Sequence, residues 1–120
     1  MKFLKTIGIT SNQPVGRGFN FPYDLAINHH GESELILYML NRGPSNSNGA
    51  TRIQYFTLNE KWLGEFGHNK AGLERLSRPV AMAFNGNQIL FVTDEASDEI
   101  KLFDSEGNFT RAINVKDMND

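Results

Sequence analysis

Phe21-Pro22-Tyr23-Asp24-Leu25-Ala26-Ile27-Asn28 and, 57 residues later, Arg78-Pro79-Val80-Ala81-Met82-Ala83-Phe84-Asn85 share one pattern. Each opens on a proline, alternates small and large side chains, and ends on Asn. Working outward, Leu35-Ile36-Leu37-Tyr38-Met39-Leu40-Asn41 matches Gln88-Ile89-Leu90-Phe91-Val92-Thr93-Asp94 at an offset of 53. Arg52-Ile53-Gln54-Tyr55-Phe56 then matches Glu99-Ile100-Lys101-Leu102-Phe103 at 47, and Lys61-Trp62-Leu63-Gly64-Glu65-Phe66 matches Asn108-Phe109-Thr110-Arg111-Ala112-Ile113 at the same offset. The offset falls in two steps, one near residues 30–33 and one within 44–50. Both lie between apolar segments, where a structural repeat tolerates insertions.

Each unit reads as four strands. The segments are short, rich in β-branched and aromatic residues, and bounded by Gly, Asn, Asp and Ser. Asn85-Gly86-Asn87 and Asp104-Ser105-Glu106-Gly107-Asn108 are tight-turn sequences. The best helical segment, residues 70–76, is weakened by Gly72 and bounded by Pro79, which predicts one short turn. The spacing therefore predicts an all-β protein with four-stranded units over 20–67 and 78–115. Residues 3–8, whose pattern matches 62–67, are expected to form one extra outer-type strand.

The chain has 120 residues, 12 Lys+Arg, 14 Asp+Glu, 39% hydrophobic residues and no Cys. That length is one ordinary domain of ~100–150 residues. The absence of Cys excludes disulfides, thiolate metal sites and a Cys nucleophile. A formal net charge of −2 removes a global drive toward nucleic acid or anionic membrane. No apolar run approaches the ~20 residues of a membrane helix. The start, Met1-Lys2-Phe3-Leu4-Lys5-Thr6-Ile7-Gly8, is broken by Lys5 and lacks the ~7–15 apolar residues of a signal peptide. A cytoplasmic location is the default expectation.

Four-stranded units of this length are blades of a β-propeller. The pattern resembles the NHL repeat on Phe21-Pro22 and Leu76-Ser77-Arg78-Pro79, on Ala26, Ala81 and Ala83, on Asp94, on Arg52-Ile53-Gln54-Tyr55-Phe56 and on Trp62-Leu63-Gly64-Glu65-Phe66-Gly67. The likeness covers nearly the whole chain, with Asn41 where the pattern has Asp and Glu99 where it has Arg. NHL-type propellers resemble six-bladed rings, and two blades do not close a ring. The resemblance thus implies a homo-oligomer, with a trimer as the specific expectation, or a piece of a larger propeller. Each blade buries its faces against neighbours, so an open pair exposes two sheet faces.

Propeller ligands sit on the face carrying the loops that join successive blades. Arg17, Arg42, His68, Arg75 and Arg78 are the ligand-binding candidates there. The long loop Arg42-Gly43-Pro44-Ser45-Asn46-Ser47-Asn48-Gly49-Ala50 is the clearest elaboration of the minimal repeat. His68, Asp94 and Asp98 are the weak candidates for a divalent metal, and no other cofactor is predicted. For Asp94 a structural role is the stronger expectation, since Asp at a strand end accepts nearby backbone N–H groups and fixes the turn. His29-His30 reads as a solvated turn, because adjacent strand residues point to opposite faces. No Gly-x-Ser-x-Gly elbow, phosphate-binding Gly loop or His-Glu-x-x-His is present.

Two functions remain. One is an NHL-like binding or scaffold module for a protein, peptide or polar ligand. RNA is disfavoured by the acidic stretch near Asp94 and Glu99, and no membrane partner is expected. The other is a metal-assisted lyase or hydrolase of the propeller type, with its site at the channel mouth.

Overall fold

Pro22 and Pro79 each open a strand, as suits a residue with no N–H to give a ladder. The computed structural model of the protein describes residues 3–8, 18–30, 34–43, 51–68 and 72–118. It is all-β. Strands β1 (Pro22–His30), β2 (Glu34–Asn41), β3 (Arg52–Thr57) and β4 (Trp62–Phe66) form one antiparallel sheet in chain order. Strands β5 (Pro79–Phe84), β6 (Leu90–Asp94), β7 (Glu99–Phe103) and β8 (Phe109–Asn114) form a second sheet in the same order. The only helical segments among the described residues are 3-10 turns at Gly72–Glu74 and Val115–Met118.

The repeat extends to the irregularities. The ladder slips between Pro22 and Asp24 and between Pro79 and Ala81, and again between Tyr55 and Phe56 and between Leu102 and Phe103. Each pair of slips falls on matched residues, so each twist-inducing bulge is part of the repeated unit. The turns obey local side-chain chemistry. Asn85 Oδ1 accepts N–H groups of Asn87 and Ile89, and Asp104 Oδ1 accepts those of Glu106 and Asn108. Burial opposes ionisation of Asp104, but the bonds from Asn108, Glu106 and Gly107 prevail and hold its carboxyl below the usual 3.8.

Alternation along each strand sorts side chains onto two faces. Ala26, Ile36, Tyr38, Leu40, Ile53 and Phe66 of the first sheet pack with Met82, Leu90, Val92 and Phe103 of the second, and Leu76 joins them from the connection. Fully burying a side chain such as Leu40 stabilises the joint by about 1.5–3 kcal/mol. A run of rings crosses it: Phe84 stands edge-on to Tyr38 at 4.7 Å, Tyr38 stacks on Tyr55 at 5.2 Å, and Tyr55, Phe66, Phe103 and Phe109 continue the chain. Polar groups stitch the rim. Tyr38 donates to Ser105 O at 2.6 Å, Met82 N–H donates to Asp24 Oδ2 at 2.8 Å, and Asn28 donates to Gln88 Oε1 at 2.8 Å.

Residues 3–8 differ from expectation. They form no strand and pair with neither sheet. Lys5 Nζ instead donates to Leu58 O at 3.0 Å, and Gly8 N–H to Glu60 Oε1 at 3.1 Å. The matched position is nonetheless kept. Gly8 has φ +91° and Gly67 φ +90°, and a Cβ on either would strike the side chain behind it, Phe19 and Leu76 respectively. Both corners demand glycine.

Candidate functional site

The charged loop face is assembled from both sheets. Arg42 leaves the end of β2, Arg78 immediately precedes β5, and Glu95 follows β6. Arg42 Nη2 lies 3.2 Å from Glu95 Oε1, and Arg78 Nε lies 2.6 Å from the same oxygen. The Arg42 guanidinium also sits 4.4 Å above the Tyr23 ring, a cation–π contact that orients it. One carboxylate oxygen thus bridges two guanidinium groups and joins the sheets at their loop end. Glu95 and Arg78 are exposed at 52% and 57%, so water screens the pair and it contributes about 1 kcal/mol at most.

The backbone beneath is fixed twice by the same device. Buried Asp94 accepts N–H groups of Ser77 at 2.8 Å, Arg78 at 3.0 Å and Ala96 at 3.1 Å. Asn41, its match in the first sheet, accepts the N–H of Asn20 at 2.8 Å, and Asn20 is the match of Ser77. The flanking backbone bonds agree as well: Arg42 N–H to Phe21 O and Glu95 N–H to Arg78 O, both 3.1 Å. Either residue type supplies the needed oxygen, which is why Asn replaces Asp without loss of the turn. The three N–H groups on Asp94 occupy its oxygens and give it a structural task.

The departure at Glu99 is answered by an exchange of charge positions. In the first sheet, fully buried Arg52 pairs with Glu65 at 2.8 Å and donates to Gly18 O at 2.8 Å. Burial lowers the Arg52 pKa, and the adjacent Glu65 works against that fall. In the second sheet, Glu99 stands where Arg52 stands, and Lys101 stands where Gln54 stands. Lys101 Nζ is 3.3 Å from Glu99 and donates to Leu73 O at 2.8 Å. Each sheet therefore buries one cation that pairs with its own carboxylate and holds a carbonyl of the preceding connection.

The remaining candidates do not converge. Arg75 is exposed and His68 half-buried, its Nδ1 buried with no hydrogen-bond partner among the described residues. Asp98 pairs with Lys116 at 3.6 Å and makes no ion pair with Arg42 or Arg78. Among the described residues no three of His, Asp and Glu are grouped to hold a metal, so His68, Asp94 and Asp98 are not brought together. Arg17 and residues 44–50 of the long loop lie outside the described residues. Sequence reasoning missed Tyr23 as the platform under Arg42. Alternation along β1 could not have found it, because the ladder slips at Tyr23, between Pro22 and Asp24.

No protein-family model and no curated protein sequence matches the chain. No helix among the described residues is long and apolar enough to cross a membrane.

Proposed function

We propose that the chain is an NHL-like propeller module that binds and scaffolds, presenting its loop face to an acidic protein or peptide. The carrying observation is the Arg42–Glu95–Arg78 group, in which two guanidiniums from two sheets already hold one carboxylate. An incoming carboxylate needs the same fork-like donors and replaces or joins Glu95 there. A rigid pair of sheets below the loops keeps the two arginines in position. Six blades would come from three copies, as the resemblance implies. Among the described residues, no three of His, Asp and Glu are grouped as the metal-assisted lyase or hydrolase alternative needs.

The test is titration of the protein with a fluorescent oligoglutamate peptide, with oligolysine as control. Saturable binding of oligoglutamate alone, weakened at least tenfold in R42A/R78A and by added salt, supports the reading. Absence of saturation with the peptide at millimolar concentration, or equal binding of both peptides, removes it.

A further inference from the structure

The joint between the two sheets is a template for a second joint that, among the described residues, is left open along β1. Inside the chain, the second sheet presents Met82, Leu90, Val92 and Phe103 to the first. Their repeat matches, Leu25, Leu37, Met39 and Phe56, lie on the opposite flank of the first sheet. Met82 is only 7% exposed, whereas Leu25 is 47% exposed with Ile27 beside it at 50%; the β2 and β3 side of that flank is already covered, with Leu37 at 7%, Phe56 at 6% and the Phe19 ring 5.7 Å from Phe56. The far flank of the second sheet carries the complement. Ala83, Phe91, Ile100 and Leu102 match Ala26, Tyr38, Ile53 and Tyr55, the residues that receive the second sheet within the chain. Ala83 is exposed, and Ala26 is buried at 9%.

We propose that the Leu25/Ile27 flank of the first sheet docks the Ala83/Phe91 flank of a second copy of this chain, head to tail, and that residues 3–8 are a placeholder the incoming copy displaces. The proposal rests on the reading of the sheets as propeller blades. Bringing the two flanks together repeats a packing the sequence already achieves once, between matched residues of matched strands. Head-to-tail joints add further copies until rotation closes the ring.

Residues 3–8 occupy the place that the second copy's β8 needs. Their Gly8 corner on Phe19 reproduces the Gly67 corner on Leu76, and their bonds go to the turn at Leu58 and Glu60, matched to the turn at Ser105 and Gly107 on which β4 rests. β4 and β8 are themselves matched strands. Phe3 and Leu4 are 78% and 84% exposed and lack a ladder, whereas β8 pairs with β7 along Glu99–Phe103. The weakly held segment is the one that yields. The copy-to-copy joint lacks some polar stitches: Ala81 stands where Asp24 stands, and Phe91 where Tyr38 stands. Leu25 N–H strands nothing, because its own Asp24 Oδ1 accepts it at 2.9 Å. The joint is therefore mainly apolar and weaker than the internal one.

Sedimentation equilibrium of the full chain from micromolar to millimolar concentration tests this. The mass is expected to rise above 13.5 kDa with concentration. L25E and A83E, both at exposed positions, are each expected to stay monomeric. Mixed in equal amounts they should give a dimer and nothing larger, since only one intact flank of each kind remains. G8V, whose φ excludes the native corner, should free residues 3–8 and raise the association constant several-fold. A chain that stays monomeric throughout, or a mixture that stays monomeric, overturns the docking. An association constant unchanged or lowered by G8V overturns the placeholder. Neither outcome depends on the peptide titration, which reads the loop face.

Discussion

Tyr38 is the residue through which the joint between the sheets can be titrated. It is fully buried, stacked on Tyr55, edge-on to Phe84, and its hydroxyl donates to Ser105 O. Y38F keeps the ring and removes the donor, which leaves Ser105 O short of a partner and costs about 1–2 kcal/mol at neutral pH. Burial, against the opposing bond with Asn28, raises the Tyr38 pKa from 10.0 to about 12. The folded protein therefore keeps the proton over a range where the unfolded chain has lost it. The Tyr38 contribution is complete below pH 10 and is lost as pH rises toward 12. Two pKa units correspond to about 2.7 kcal/mol. The advantage of wild type over Y38F should thus shrink above pH 10 and vanish or reverse near 12. Urea unfolding followed by the fluorescence of Trp62, the single tryptophan, measures both proteins across that range. Other titrating groups are common to both and cancel in the difference. A stability difference that stays constant with pH refutes the assignment of a buried, protonated hydroxyl at the joint.

Three further outcomes follow from the repeated devices. D94A removes the acceptor of three N–H groups and should cost about 2–4 kcal/mol in thermal or urea unfolding, with D94N much milder because Asn41 performs the same task in the first sheet. G67A places a Cβ against Leu76 at a positive φ and should cost about 1–3 kcal/mol by the same assay, whereas G86A, whose Cβ meets nothing, should cost far less. R52M takes the guanidinium from Glu65 inside the sheet and should lose about 3–5 kcal/mol, most of it recovered in R52M/E65L; a double variant as unstable as the single one would contradict a paired burial.

The eight strands were legible because each has a matched partner segment, and the matches survive two insertions. Asp94 was legible for the same reason: a carboxylate at a strand end, before a turn, has nearby N–H groups to accept. Residues 3–8 were half legible. Their pattern matched them to residues 62–67 and so to the glycine at its end, but the outer strand expected from that match also needs a neighbour to share hydrogen bonds, and that is a tertiary condition. The Glu99–Lys101 pair could have been read, since residues two apart on a strand share a face. The Arg52–Glu65 pair could not, because its partners meet only when β3 and β4 fold together. On the loop face, Arg42 and Arg78 were named from position, but their convergence on Glu95 depends on how the two sheets pack. No local pattern carries that information.

The relocation of charge between Arg52 and Glu99 has a consequence for how such a chain can be rearranged. Arg52 is neutralised by Glu65 and Lys101 by Glu99, in each case within one four-stranded unit. Each buried cation is thus answered inside its own unit, and the charge pair that crosses between units, Arg42 with Glu95, lies at the loop end. Duplication, permutation or transplantation of a unit then asks for matching shapes and a few polar bonds at the seam, and the buried wiring travels with the part.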